Sequence, residues 1–544
     1  MSSSPASFAI QQRSSINPLP GSRTTVVVAA SSDLHGWLST DTLFPEEEKR
    51  GVLHIAPIIK QLRDEYPHLI LLDAGDILQG SPSAFYFNFH SPAENPLPIV
   101  KLMNHLQYDA VALGNHDLEP PPGVLQKNMM ASQFTWLAAN LLKTGEGSSE
   151  GDPVLPPYRV LERAGVRIGI MGLLTPGTSM WVNKSHLNGM RIEGMFAATQ
   201  KWVPILKEQE QVDLLVGLFH SGHNFRYDQY VSLNQGVPVA NASGIVADSE
   251  TRFDLIISGH AHRLFPKRKT SELRHFRTPL ISPGFWGYGV SVVKFFLKEE
   301  GARWQIEKSE YSFISASPEP SEQLGSMVKA DMDQVRQYLD VPTRVVLHQL
   351  PSKENFFQCG ADLSHQAILG RDPERSFSLF PARWRWKKLL RNELGAPLKR
   401  LHLFRWLPYD NFPVLSQLYG RQIQILLDPY LRQQRGLSFR SNSLLAPGGF
   451  QAILSENEDG ASSTLKHMET SLSLSESFPV WMSNYHWNGG GGLVGEALVH
   501  PTQKIKEIGQ TLRDLLFAYL QRPAKLSAAC LTFLKNDYVM AKIR

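Results

Sequence analysis

The chain has 544 residues, too many for one ordinary hydrophobic core, so two domains and a connection are expected. Its 42% hydrophobic and 19% charged residues are those of a globular protein. With 55 basic against 51 acidic side chains the formal charge is only +4, which argues against a nucleic-acid groove or a membrane-surface protein. Two cysteines, Cys359 and Cys530, exclude a disulfide scaffold and a cysteine-rich zinc module but leave a single bridge between them open.

The N-terminal stretch 1–23 lacks an apolar run long enough for a signal-peptide core. Nowhere do eighteen apolar residues follow one another, so no transmembrane helix is expected and the chain reads as cytoplasmic. Asn241-Ala-Ser would be a glycosylation sequon in a secreted protein, but such triplets are common by chance. From residue 24 onward, strand-like apolar runs occur at 24–30, 69–72, 109–113, 167–174, 212–219 and 253–257. Segments such as 51–66 and 196–210, with helix-like spacing, lie between them. The alternation predicts a layered α/β domain with a largely buried sheet, closed by further strands within 279–297. The stretch 317–340 opens with a Pro/Ser turn and reads as a solvated connecting helix. A second α/β segment follows to residue 544, in which the Ser- and Glu-rich 455–477 reads as a flexible insertion. The expected domains are 22–315 and 344–544, joined by a linker helix over 316–343.

Five apolar runs end in groups that bind metals or move protons. They give Asp33-Leu-His35-Gly36, Asp73-Ala-Gly-Asp76, Gly114-Asn115-His116-Asp117, His220-Ser-Gly-His223 and Gly259-His260-Ala-His262. In open α/β sheets such groups converge in one crevice outside the carboxyl ends of the strands. Residues two apart on an extended strand face one side, so Asp33 and His35, or His260 and His262, can chelate together. Glycines at 36, 75, 114, 222 and 259 allow tight turns there. Carboxylates, imidazoles and an amide without thiolate suit Mn, Fe, Zn, Co or Mg. The ligands outnumber the needs of one ion, whereas two ions about 3.5–4 Å apart, bridged by one carboxylate, would use them all in phosphate-ester hydrolysis. Asp76 is the candidate bridge. Taken singly, each group has a plainer reading: Asp73 and Asp117 suit helix caps, and His223 suits a surface position or a supporting one.

D-x-H-G (33–36), G-D-x-x-Q-G (75–80), G-N-H-D (114–117), H-S-G-H-N (220–224) and G-H-A-H (259–262) resemble, in order and spacing, the calcineurin-like metallophosphoesterases. Within them the chain is similar to the 5′-nucleotidase superfamily. GHAHRLFP (259–266) and SPGFWGYGVSVVKF (282–295) resemble its 2′,3′-cyclic-nucleotide 2′-phosphodiesterase/3′-nucleotidase branch in particular. The resemblance implies a layered α/β metallophosphoesterase sandwich followed by an α/β substrate-binding domain. It implies two divalent ions, one held by Asp33, His35, Asp76 and His262 and the other by Asp76, Asn115, His220 and His260. His116 would be the catalytic histidine, assisting in-line attack of a metal-bridging hydroxide, with Glu119 in place of the family's orienting aspartate.

The C-terminal half resembles the nucleotidase substrate-binding domain more faintly, through 406–428 and SNYHWNGGGGL (483–493). By that resemblance Tyr485 and Phe439 would sandwich a base, although both also suit a core. Gly491 stands where relatives that bind 5′-nucleotides carry an aspartate, and their Asn-Gly-Gly-x-Arg phosphate loop is absent. RWRWKKLLR (383–391) reads as a solvated amphipathic helix face. The resulting expectation is a dinuclear phosphoesterase acting on nucleotides, with no membrane and no nucleic-acid polymer as partner. The competing readings are the same chemistry on a nucleotide-sugar, sugar phosphate or other phosphoester, and a non-catalytic binding protein on the same fold.

Overall fold

The computed structural model describes residues 21–44, 48–145, 150–223, 240–267, 273, 275–301, 303–369, 377–382, 394–407, 409–434, 444–448, 451–457, 460–467, 470–471, 473–487, 504–532 and 534–536. The chain divides into two compact units, Met1–Met332 and Asp333–Arg544.

The first unit is built on two six-stranded sheets, the sandwich that the resemblance implies. In chain order its strands are β1 (Arg23–Ser31), β2 (Ile70–Asp73), β3 (Ala110–Ala112), β4 (Thr135–Leu137), β5 (Leu141–Lys143), β6 (Tyr158–Arg163) and β7 (Val166–Leu174). They continue with β8 (Met190–Ile192), β9 (Leu214–His220), β10 (Leu255–Ser258), β11 (Leu264–Phe265), β12 (Leu280–Pro283), β13 (Gly289–Glu300) and β14 (Arg303–Ser315). One sheet runs β14-β13-β1-β2-β3-β4, with β1 to β4 parallel and the β13–β14 hairpin antiparallel. The other runs β11-β12-β10-β9-β7-β6, parallel in its centre and antiparallel at both edges.

Alternation of side chains decides how the sheets pack. Val26, Val28, Ala30, Ile70 and Leu72 from the first sheet meet Ile168, Ile170, Val216, Leu218 and Ile257 from the second in one core. The intervening residues of the second sheet, among them Met171, Leu173, Leu215, Phe219 and Ile256, pack with residues of the helices Met195–Pro204 and Ser243–Asp248 in another. A strand buried on both faces has no polar alternation, and β7 is buried at all nine positions. Each such aliphatic side chain contributes about 1.5–3 kcal/mol on burial. The polar strand β14 has no such signature: it is mostly exposed at the sheet edge and owes its extension to the long pairing with β13.

The connecting segment is two helices, Glu322–Met327 and Lys329–Leu339, rather than one solvated helix. Leu324, Val328, Met332, Val335 and Leu339 recur at helical spacing and are buried, a narrow apolar stripe that the surrounding polar residues hide in the sequence. In the second unit, strands Leu444–Gly448, Phe377–Ala382, Ser477–Ser483, Pro413–Tyr419 and Lys504–Glu507 form a mixed five-stranded sheet. Phe356, Leu403, Leu426, Trp481 and Leu516 are among the residues of its core. Cys359 and Cys530 are joined by a disulfide across 171 residues of sequence. The stretch read as a flexible insertion is instead a hairpin of Gln451–Asn457 with Gly460–His467, extended by Thr470–Ser471. Among the described residues no helix is long and apolar enough to cross a membrane.

Candidate metal centre

The segments beyond β1, β2, β3, β9 and β10 supply the polar groups of the centre, and both sheets present them at carboxyl ends. The loops are tied to one another through main-chain bonds: Asp33 N–H donates to the Gly75 carbonyl at 2.9 Å and His35 N–H to the Asp76 carbonyl at 2.8 Å. His260 N–H donates to the Asp33 carboxylate at 3.0 Å, and His116 N–H to Asp76 Oδ1 at 2.8 Å. Asp33, His35, Asp76, His260 and His262 all adopt left-handed backbone, with φ of 51°, 49°, 61°, 70° and 51°. Such backbone costs about 1–3 kcal/mol per residue and persists where the surroundings impose it, commonly at functional sites.

Asp117 supplies much of that imposition. Its carboxylate accepts from the backbone N–H groups of Asp76, Ile77, Leu78 and Gly114 at 3.1, 2.8, 2.8 and 2.8 Å, clasping the β2 and β3 loops together. Burial, then the Asp76 charge, pushes Asp117 up to about 6 against the pull of those bonds. Gly114 lets the loops approach this closely: a Cβ there would stand 2.1 Å from Asp76 Oδ1.

The side chains assemble in two overlapping groups, Asp33–His35–Asp76–His262 and Asp76–His220–His260, each with ligand atoms within 4.8 Å of one another. Asn115 adjoins the second group, its Oδ1 lying 3.2 Å from His220 Nε2. The orientation of the imidazoles is informative. His35 Nδ1–H donates to the Gln79 carbonyl at 2.5 Å and His220 Nδ1–H to the Ala74 carbonyl at 2.7 Å, so both direct Nε2 into the cluster. There His35 Nε2 lies 2.9 Å from His262 Nε2. Asp76 Oδ2, buried, lies 3.0 Å from His220 Nε2 and 3.8 Å from His35 Nε2. Oxygen and imidazole donors converge on one point, and such a set fits a divalent metal.

The electrostatics express the same demand. Burial disfavours charge on His220, but Asp76, Asp33 and the Ala74 carbonyl outweigh it and raise the imidazole to about 9. Burial holds His35 and His260 down at about 3, as neutral ligands require. Asp76 stays well below the usual carboxylate range because His220, His116 and His35 overcome its burial.

His116 stands at the edge of this cluster, its ring edge-on to His35 with centroids 5.1 Å apart. Its Nδ1 lies 3.1 Å from Glu119 Oε2 and 2.5 Å from Gln79 Oε1. Asp73 turns away: its carboxylate accepts from Ser31 Oγ at 2.6 Å and Gly75 N–H at 2.8 Å, and burial pushes it up to about 7. His223 lies outside both groups and packs against Phe265 and Phe276. Tyr485, half-buried in the second unit, packs edge-on to His486 with centroids 5.2 Å apart. Phe439, Gly491 and the stretch 383–391 lie outside the described residues.

Sequence reasoning missed three neighbours of the cluster. Gln79 was in view as the glutamine of G-D-x-x-Q-G, with no role attached. Trp181 stacks on His260 at 5.2 Å and Phe285 on His262 at 5.0 Å, with interplanar angles of 17° and 10°. Each aromatic follows the carboxyl end of a strand, β7 or β12, and Phe285 also lies within the 282–295 motif.

Residues 26–264, which carry the double sheet with buried carboxylates and imidazoles at its strand ends, match the calcineurin-like phosphoesterase family. Among curated proteins the chain is similar to a 2′,3′-cyclic-nucleotide 2′-phosphodiesterase/3′-nucleotidase of Yersinia enterocolitica, 26% identical over 303 residues, covering 52% of this chain and 44% of that protein. A 5′-nucleotidase of Vibrio cholerae is 30% identical over 212 residues, covering 38% of this chain and 35% of that protein. The chain thus spans less than half the length of these two relatives. A solved Staphylococcus aureus structure, provisionally assigned as a 5′-nucleotidase, has a TM-score of 0.73 at 17% identity and covers 92% of this chain and 98% of its own. At that identity the likeness establishes the fold, mixed α/β through both units.

Proposed function

We propose that the chain is a phosphoesterase that holds two divalent ions and hydrolyses phosphate esters of nucleotides. The observation that carries this reading is the sharing of Asp76 between two ligand groups at the ends of parallel strands. Asp33, His35, Asp76 and His262 would hold one ion, and Asp76, Asn115, His220 and His260 the other. When bound, such a pair neutralises developing charge on the phosphoryl oxygens and activates water. The chain's own part is to fix the ligands through the Ala74 and Gln79 carbonyls and the Asp117 clasp. His116, whose Nδ1 lies 3.1 Å from Glu119 Oε2, would donate a proton from Nε2 to the leaving oxygen, with Glu119 favouring the charged ring. The names of the relatives support a nucleotide as substrate, and Tyr485 is the residue offered here for stacking on its base.

A different feature bears on the compartment. The cytoplasmic placement expected from the sequence competes with the Cys359–Cys530 disulfide, which favours an oxidising environment. Alkylation of thiols before lysis, followed by mass analysis, decides between them.

The functional reading is tested by phosphate release from 2′,3′-cyclic AMP, 3′-AMP, 5′-AMP, UDP-glucose and an aryl phosphate, using protein loaded with Mn²⁺. Preference for one nucleotide supports the reading and identifies the bond cut. Activity on the aryl phosphate alone removes the nucleotide, and inactivity on every ester under any metal removes the enzyme.

A further inference from the structure

We propose that Gln79 is a positioning residue for His116, acting from the same turn that aligns His35. The inference rests on the functional reading above and adds a role that reading does not need. Gln79 lies between β2 and the helix Pro82–Phe89 and is only 5% exposed. Its two oxygens serve two histidines. The main-chain carbonyl accepts from His35 Nδ1–H, and the side-chain Oε1 accepts from His116 Nδ1–H, each at 2.5 Å. The turn itself is held firmly: Leu78 N–H donates to Asp117 at 2.8 Å, and the Leu78 carbonyl accepts from Asn88 Nδ2 at 2.7 Å. Gly80 follows with φ of 129°, and a Cβ there would meet the His35 ring at 2.7 Å, so glycine is what lets this turn lie against the imidazole.

His116 Nδ1 therefore faces two acceptors of different kinds. Glu119 carries a charge, is about one-fifth exposed, and lies at 3.1 Å. Gln79 is neutral, nearly buried, and closer. The carboxylate stabilises the imidazolium, while the amide fixes the direction of the ring without adding a second negative charge beside Asp76. Because the same residue aligns His35 through its main chain, the proton-donating ring is kept in register with one ligand group of the metal centre.

Gln79→Ala separates the two oxygens, since it removes Oε1 and leaves the carbonyl. In the metal-loaded protein, turnover of a nucleoside monophosphate is expected to fall about 10–100-fold with KM and bound metal unchanged. Hydrolysis of p-nitrophenyl phosphate, whose leaving group departs without a proton, is expected to fall far less. Gln79→Glu retains an acceptor oxygen but adds the charge that the amide avoids, so it is expected to recover part of the lost turnover and to exceed Q79A. Equal losses on both esters, loss of metal from Q79A, or a Q79E variant no better than Q79A would overturn the assignment in favour of a structural role. An active wild type with an unimpaired Q79A overturns this inference alone. A wild type that hydrolyses no ester overturns the functional reading and this inference with it.

Discussion

The two units stabilise their interiors in opposite ways. Where the strands of the first unit end, Asp33, His35, Asp76, Asn115, Asp117 and His220 are buried together, and five residues of the centre hold left-handed backbone to make this possible. The core of the second unit is hydrocarbon, with a disulfide across it and its buried Arg513 fully engaged by Asp410 and the Leu407 carbonyl. Among the described residues it gathers no group of metal-ligating side chains. A buried charge without a partner is costly. The difference shows that the first unit tolerates stored electrostatic and backbone cost at one place, whereas the second is organised for packing.

The sharpest way to break this contrast is Asp76→Asn, which removes the charge shared by both ligand groups. Activity is expected to drop at least about 10³-fold, with bound metal lost, as read by turnover and elemental analysis. Retained turnover would show that the two groups do not share a bridge. Gly114→Ala comes next, because its Cβ would stand 2.1 Å from Asp76 Oδ1 and 2.4 Å from Asp76 N. The first unit should lose several kcal/mol, roughly 3 or more, and most of its metal affinity. The matched Gly509→Ala in the second unit, where nothing lies within 4 Å of the new Cβ, should change neither melting nor activity.

Replacing both cysteines, Cys359→Ala with Cys530→Ala, tests the other side. It should destabilise the second unit by about 2–5 kcal/mol while leaving aryl phosphate hydrolysis intact. A parallel loss of that activity would mean that the units are not independent in this respect. The smallest effect is expected from Asp73→Asn. Burial raises Asp73 to about 7, above its unfolded value, so the folded state binds the extra proton. Its favourable contribution is present below about pH 4 and is lost as pH rises through 7. The asparagine keeps the neutral form, with Ser31 Oγ free to turn its hydroxyl toward Tyr108 at 2.8 Å. Melting of the metal-free protein should therefore favour the variant over wild type by about 2 °C or more at pH 8 and not at pH 4.

Much of the first unit was legible because its constraints are local. Apolar runs such as 167–174 have no other use than a doubly buried strand, and β7 occupies Val166–Leu174. The polar groups that end these runs are conspicuous because nothing in packing asks for Asp33 or His220 there. What escaped was whatever depends on distant partners. That polar β14 is a strand at all follows from its pairing with β13, and which strands share a sheet follows from core contacts across more than a hundred residues. Gln79, Trp181 and Phe285 act through the histidines they touch, a relation that spacing along the chain does not encode. In the second unit the hairpin at 451–467 was hidden by its composition, and Phe439 and Gly491 lie outside the described residues.

The shared carboxylate of Asp76 has a thermodynamic consequence. If both ions bind as proposed, each alters the field in which the other is held, so their affinities are linked and change by the same factor in either direction. Filling one position then sets the affinity of its neighbour, and titration with a single metal should give two coupled steps rather than two independent ones.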